Sequence, residues 1–293
     1  MFQVPVSSSS DYVHDVSHNV YGTRLAMCTS AQSLLIWDRD QVSEDWVPSA
    51  TISFAHNGPI WRIDWAHPEF GQIIASCSED RAVAIWSERP ATDSQAGGWR
   101  KRATLTDAAN PVTDVQFAPR IWGLKMASCS SDGTVRLYHA PDALNLSYWE
   151  VEDFSAKSGC TALSWCTAED KERLALACVD GSVKIFEKSG NWHFVDERKI
   201  SSGALKDVAW APNLCRENEW LAACGDNGAV EVAQLVGNHL EFLFKIDPET
   251  DSVFWRVSWN LTGTVLAIAP ENGQVQLWRL AGPGTQDWLR IQD

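Results

Sequence analysis

The chain has 293 residues, of which 45 % are apolar and 21 % charged, a balance typical of a globular protein with a large core. Its formal net charge of −14 repels phosphate backbones and anionic lipid. This charge argues against direct binding of nucleic acid or a membrane surface and favours a protein partner. The first ten residues lack the regions of a secretory signal, and no apolar run has transmembrane length, so we expect a cytosolic or nuclear protein.

A stretch of small apolar residues, followed by an acidic turn and an apolar strand, occurs six times along the chain. Each copy ends at an anchor residue, and the anchors are Trp37, Trp86, Tyr138, Phe186, Val232 and Trp278. Successive anchors lie 49, 52, 48, 46 and 46 residues apart, a period near that of the four-stranded blades of WD-type β-propellers. The spacing therefore predicts an all-β propeller of six blades, forming a single domain over residues 1–293.

Each repeat divides into four short strands, and the predicted blades cover about residues 11–55, 56–105, 106–152, 153–198, 199–245 and 246–293. The first strand ends at His18, Trp65, Phe117, Trp165, Trp210 or Trp259. The second is the small-residue strand, and the third is predicted to end at the anchor. Asp or Asn in the turn between them favours the positive φ angles of tight hairpins. In the last repeat, residues 288–291 are predicted to form the fourth strand.

The second repeat contains a set of polar residues that can brace a blade by bonding in series: His56, Ser76, Asp80 and Trp86. Ser, His and Asp also serve as the triad of hydrolases. Here the serine and the aspartate recur in the next repeat as Ser128 and Asp132, and neither lies in a nucleophile elbow. We interpret the set as a structural tetrad and predict no catalytic residues, no cofactor and no enzyme activity.

Five of the eight cysteines recur in the second strand of successive repeats: Cys28, Cys77, Cys129, Cys178 and Cys224. A small apolar side chain packs well in such a buried strand. No C-x-x-C pair occurs, and Cys160 and Cys166 are poorly spaced for zinc. We expect structural cysteines and no metal site.

The two ends of the repeat array predict an open ring. A closed propeller usually completes its last blade with an N-terminal strand, but the last repeat here has its own fourth strand. Residues 2–6 include Pro5, which lacks the N–H that a central strand needs. Residues 33–37 (SLLIW) are nevertheless apolar on both faces, as in a strand covered on both sides. We expect a partner to add a β-sheet at an edge formed by Tyr12, Val13, His14, Val16, Leu34, Ile36, Val275 and Leu277.

Arg62 and Arg256 occupy matching positions in the first strands of repeats two and six, in the sequences WRIDW and WRVSW. They could brace these strands or mark a face that reads peptides. The residues alone leave both interpretations open.

With the repeats aligned, the chain resembles the Seh-type WD-repeat nucleoporins over nearly its whole length. The resemblance is carried by residues 14–28, 60–86, 112–149 and 254–268, and the segment APDALNLSYW (140–149) is similar to this branch rather than to its sister, the WD propeller of the COPII outer coat. It implies a non-catalytic scaffold of the nuclear pore Y-complex at the nuclear envelope, whose ring is completed in trans by a blade from an α-solenoid nucleoporin. Other Y-complex subunits would be further partners, in support of nucleocytoplasmic transport.

The same resemblance implies a second assembly, the SEA/GATOR complex, which feeds nutrient signals to TOR kinase at the periphery of the vacuole or lysosome. Two alternatives remain open at this point: a COPII outer-coat propeller, and a WD adaptor that reads peptides near Arg62 and Arg256.

Overall fold

A computed structural model of the chain describes residues 11–89, 98–168, 170–213, 216–228, 230–246, 253–281 and 288–291. Across these ranges the strands form six antiparallel sheets of four strands each, the blades of a β-propeller. The predicted all-β fold with six blades is confirmed. The chain divides into two compact units, residues 1–153 and 154–293, which are described in turn. A single domain over residues 1–293 stays a prediction.

The first unit contains blades one to three. Blade one consists of β1 (Val13–His18), β2 (Arg24–Thr29), β3 (Leu34–Arg39) and β4 (Trp46–Ile52). Blade two consists of β5 (Ile60–Trp65), β6 (Ile73–Ser78), β7 (Val83–Arg89) and β8 (Gly98–Leu105). Blade three consists of β9 (Val112–Phe117), β10 (Lys125–Ser130), β11 (Thr134–His139) and β12 (Glu150–Ser155), the last of which ends within the second unit.

The second unit contains blades four to six. Blade four consists of β13 (Cys160–Trp165), β14 (Arg173–Cys178), β15 (Ser182–Ser189) and β16 (Asn191–Lys199). Blade five consists of β17 (Leu205–Trp210), β18 (Glu219–Gly225), β19 (Val230–Val236) and β20 (His239–Ile246). Blade six consists of β21 (Phe254–Trp259), β22 (Val265–Pro270), β23 (Gln276–Leu280) and β24 (Trp288–Ile291).

The first strand of every blade ends at the predicted residue, and β24 has the predicted bounds. The prediction that third strands end at the anchor is wrong, because these strands continue one to four residues further. The hairpin to the fourth strand extends the ladder beyond the anchor. In blade four only Gly190 separates β15 from β16, and Ser189 pairs with Asn191.

The turn between the second and third strands uses one residue with positive φ. That residue is Gln32 (62°), Arg81 (69°), Gly133 (78°), Gly181 (83°) or Gly273 (77°), depending on the blade. In these five blades it directly follows the Asp, Asn or Ala that the sequence places at the turn, whereas in blade five the residue with positive φ is Gly228 (67°), two residues after Asp226. The left-handed backbone expected there is therefore present.

The apolar core lies between neighbouring blades. Small and branched side chains of β6 are buried along the entire strand because adjacent sheets cover both faces. Separate clusters join blades one and two, two and three, four and five, and five and six. No helix in the described ranges has the length and apolar character needed to cross a bilayer.

In each of these four pairs of blades, a hydrogen bond also links the two first strands. A side-chain oxygen of one blade accepts a hydrogen bond from a backbone N–H in the first strand of the following blade, and we call this contact a latch. The latches are Asp15 with Ile63 (3.1 Å), Asp64 with Phe117 (2.7 Å), Ser164 with Trp210 (3.0 Å) and Asp207 with Val257 (3.0 Å). In all four, the acceptor belongs to the earlier blade.

Candidate functional site

The sheet of blade six has one buried face and one exposed apolar face. Its buried face shares a core with blade five through Phe254, Leu266, Ile268 and Trp288. The cross-strand register places Ala267, Leu277 and Ile291 together on the opposite side, and Val265 with Leu289 on that same side. We call this set, with Val275, the blade-six outer face.

The blade-six outer face is accessible and largely apolar, with the exposed Arg279 between Val265 and Leu289. Val275 is 60 % exposed, Leu289 49 %, and Leu277 and Ile291 37 % each. Full burial of one such side chain is worth roughly 1.5–3 kcal/mol, so a partner that covers the face gains several kcal/mol before entropy is subtracted. An interior propeller sheet is covered on both sides, whereas the described residues of this face are partly accessible.

Blade one also has two distinct faces. Ala26, Leu34 and Ile36 pack against β5 in the core shared with blade two. On the other face, Leu25, Met27 and Trp37 form a smaller cluster with Leu35 beside it. The sheet therefore presents different side chains to its two sides.

The structure corrects part of the predicted partner edge. Leu34 and Ile36 are fully buried (0 %) against blade two, because side chains alternate along a strand and only Leu35 and Trp37 point the other way. His14 also turns toward blade two: its Nε2 bonds Ser30 Oγ at 2.7 Å, and its ring packs on Trp61 at 4.7 Å.

The remaining predicted edge residues fall into two groups. Tyr12 and Val16 are exposed and Val13 is half-buried, all in the first unit. Val275 and Leu277 lie on the blade-six outer face. The same face also carries Ala267, Leu289 and Ile291, which were not among the predicted edge residues and which the alternation of β22 and β24 indicates once their pairing is known.

The tetrad residues of blade two form one hydrogen-bonded series. Trp86 Nε1 donates to Ser76 Oγ (3.0 Å), Ser76 Oγ lies 2.9 Å from His56 Nε2, and His56 Nδ1 lies 3.1 Å from Asp80. All donors are satisfied when the imidazole proton is on Nδ1, so that Ser76 donates to Nε2. The series joins β6, β7, the turn after β6 and the segment before β5.

Asp80 anchors this series as a carboxylate. Burial works against its ionisation, but the hydrogen bonds from His56 and from the N–H groups of Asn57 and Ala82 outweigh burial and lower its pKa to about 2. Ser76 is fully buried and its hydroxyl is engaged within the series. A buried hydroxyl of this kind serves as a brace, because no substrate can reach it.

Replacing Ser76 by alanine is expected to destabilise the protein by about 2–3 kcal/mol. The indole N–H of Trp86 would lose its acceptor and His56 Nε2 its donor, and each buried polar group without a partner costs roughly 1–3 kcal/mol. Urea unfolding followed by tryptophan fluorescence measures the change. Ser128→Ala is the matched control, because Ser128 occupies the same position in β10 without a histidine. Equal losses in both variants would contradict the tetrad.

Blades three and four replace the histidine by a cation that sequence reasoning missed. Arg136 Nη2 lies 3.0 Å from Asp132, and Lys184 Nζ lies 3.3 Å from Asp180. Both cations follow the turn aspartate by four residues. That spacing is the signal that could have revealed them.

Arg62 lies among carboxylates of the first strands. Its Nη1 is 4.0 Å from Asp15 and its Nε is 3.8 Å from Asp114, and the guanidinium is largely buried. Burial raises the pKa of the neighbouring Asp64 to about 7, although the backbone N–H groups of Phe117 and Trp65 act against this rise. The charge of Arg62 is thus balanced within the blades, which favours bracing over peptide reading.

The described residues contain no group of three or more His, Cys, Asp or Glu side chains that could hold a metal ion. Seven cysteines in those ranges are free and buried.

Comparisons with known proteins identify what the chain is similar to. Residues 46–87 and 99–139 match the family described as WD domain, G-beta repeat. Nucleoporin SEH1 of Homo sapiens is 39 % identical over 296 residues, covering 92 % of this chain and 82 % of that protein. Nucleoporin SEH1 of Danio rerio is 37 % identical over 297 residues, covering 92 % and 81 %.

A solved chain from the structure titled "Crystal Structure of Mitotic Checkpoint Complex" matches with a TM-score of 0.72 and 15 % identity, over 94 % of this chain and 77 % of that chain. At this identity the likeness shows the fold alone.

Proposed function

Because the chain belongs to the SEH1 family of nucleoporins, we propose that it is a non-catalytic scaffold subunit of the outer-ring coat of the nuclear pore. Its place is then the nuclear envelope, and its role is architectural support of nucleocytoplasmic transport. Identity of 39 % over 92 % of the chain supports this role. The structural support is the blade-six outer face, an apolar sheet surface of the kind that a scaffold uses to bind a partner.

The partner covers the blade-six outer face with a β-sheet of its own. Pairing a single strand adds about five hydrogen bonds at roughly 1 kcal/mol each. Burial of about 1,000 Å² of apolar surface is worth roughly 25 kcal/mol gross. A donated blade therefore binds more strongly than a donated strand, and an α-solenoid nucleoporin that contributes such a blade in trans is the partner we propose.

A charge placed in the centre of the outer face tests this proposal. Leu277→Arg is expected to lower the recovery of an α-solenoid nucleoporin at least tenfold, because a partner sheet would have to bury an unpaired guanidinium. The measurement is affinity purification of the tagged full chain, followed by quantitative mass spectrometry.

Leu261→Arg is the matched control, since Leu261 is a 90 % exposed leucine in the loop after β21. Undiminished recovery with Leu277→Arg, or equal loss with Leu261→Arg, would refute docking at the outer face. The solenoid protein captured by the unmodified chain also identifies the assembly: a pore-coat subunit supports the proposal, whereas capture of only SEA/GATOR or COPII subunits would replace it.

A further inference from the structure

Blade four brings two thiols together where other blades have one hydroxyl or none. Cys160 begins β13, Cys178 ends β14, and the two residues are direct cross-strand partners. The corresponding pairs are Val13 with Thr29, Ile60 with Ser78, Val112 with Ser130, Leu205 with Gly225 and Phe254 with Pro270. Both cysteines therefore differ from the residues at these positions in the other blades, and they lie opposite each other in the sheet.

The spacing of this pair suits a disulfide. Opposite residues of antiparallel strands have Cα atoms about 4.5–5.5 Å apart, and a disulfide spans roughly 4.4–6.8 Å between Cα atoms. The S–H of Cys160 donates to Ser158 O at 3.6 Å and can turn to Cys178 when that thiol ionises. A bond can therefore form while the two strands keep their places.

The surroundings activate one thiol of the pair. The hydrogen bond from Cys160, which outweighs burial, lowers the pKa of Cys178; Lys184 and Ser182 act in the same direction and Asp180 against it. A buried thiol without a second cysteine opposite it behaves differently, since burial, reinforced by Glu219, raises the pKa of Cys166 to about 12. Both thiols are buried (0 % exposed), and the pair lies at the end of the strands, directly before the 51 % exposed Val179, where a local opening of the strand ends would admit peroxide.

We propose that Cys160 and Cys178 form a peroxide-sensitive dithiol that closes to an intrachain disulfide. The thiolate of Cys178 attacks one oxygen of hydrogen peroxide, which breaks the O–O bond, releases water after protonation and leaves a sulfenic acid. The Cys160 sulfur then attacks the sulfenic sulfur and expels a second water as its proton leaves. The pair loses two electrons, and the peroxide is reduced to two waters.

The test uses the full chain in its folded state. It is treated with hydrogen peroxide, denatured and alkylated with N-ethylmaleimide. Two fewer of its eight thiols should be labelled, and peptide mass spectrometry should find the peptides of Cys160 and Cys178 joined with the loss of two hydrogens. Treatment with dithiothreitol should restore the labelling.

Cys160→Ser and Cys178→Ser should each abolish the joined peptides. Cys224→Ser is the matched control, because Cys224 is an equally buried thiol in the next blade that donates to Phe254 O. It should leave the yield unchanged. The proposal would be overturned if all thiols were still labelled after peroxide, or if the two cysteines were oxidised separately to sulfinic acids. Disulfides that also include Cys224 would overturn it as well, because they would indicate unfolding.

Discussion

Replacing Gly181 by alanine is expected to cost about 4 kcal/mol of stability, at the upper end of single-residue effects. The residue has a φ of 83°, and an added Cβ would lie 2.5 Å from Gly203 O and still closer to Ser201 O. Both neighbours are backbone atoms. They cannot retreat easily, because Ile200 N and Ser201 N donate to Gly181 O at 3.0 and 3.1 Å.

Gly190→Ala separates this clash from ordinary left-handed strain. Gly190 has a φ of 77° and open space around the position of a Cβ, so its replacement should cost only about 1–2 kcal/mol. Urea unfolding of both variants, with tryptophan fluorescence as the signal, gives the difference. Similar losses would mean that the turn can move away from residues 201–203, contrary to the close packing between blades four and five.

Replacing Arg173 by methionine is expected to cost about 3–5 kcal/mol, because the largely buried Glu219 would lose the guanidinium and Glu187 would keep only Lys171. Arg173 Nε donates to Glu187 in its own blade (2.7 Å), and Nη1 donates to Glu219 of blade five (2.8 Å). The three side chains are only 9, 10 and 12 % exposed. Arg39→Met is the control: its partner is Glu44, the two side chains are 40 and 66 % exposed, and such a pair contributes about 1 kcal/mol or less.

The loss caused by Arg173→Met should depend on pH. Burial opposes ionisation of Glu187, but the hydrogen bonds from Arg173 and Lys171 outweigh it and lower the pKa of this carboxyl below its ordinary 4.5. A lowered carboxyl pKa stabilises the folded state above the unfolded value, and this stability is lost as pH falls. The difference between the two proteins should therefore be largest near neutral pH and shrink below about pH 4.5. If the difference in unfolding free energy between the two proteins stayed constant across this pH range, the loss would come from packing and not from the ion pairs.

Repetition in the sequence explains why the blades could be predicted. Four blades end their first strand at Trp, so that Trp65 and Trp259 mark equivalent positions, while blades one and three have His18 and Phe117 there; β24 fills the remaining fourth position. Repeated hydrophobic positions report strand period and strand order directly, because each blade must bury the same faces.

The direction of individual side chains could not be predicted in the same way. A strand such as LLIW is apolar at every position, so its alternation leaves open which of Leu34 and Leu35 faces blade two. The pairing of Cys160 with Cys178 depends on a register shift in β13 that the sequence does not mark. Likewise, Arg173 and Glu219 are 46 residues apart and meet only because neighbouring blades stack.

In the latches, the acceptor side chain is synthesised before the N–H group that it binds. Asp15 and Asp64 are translated before the N–H groups that they accept from Ile63 and Phe117, so each later blade meets an acceptor that is already in place. Asp207 precedes Val257 in the same way. A ribosome releases the N-terminal part first. Within each of the two units, the blades can therefore assemble one after another as they leave the exit tunnel, each using its predecessor as a template.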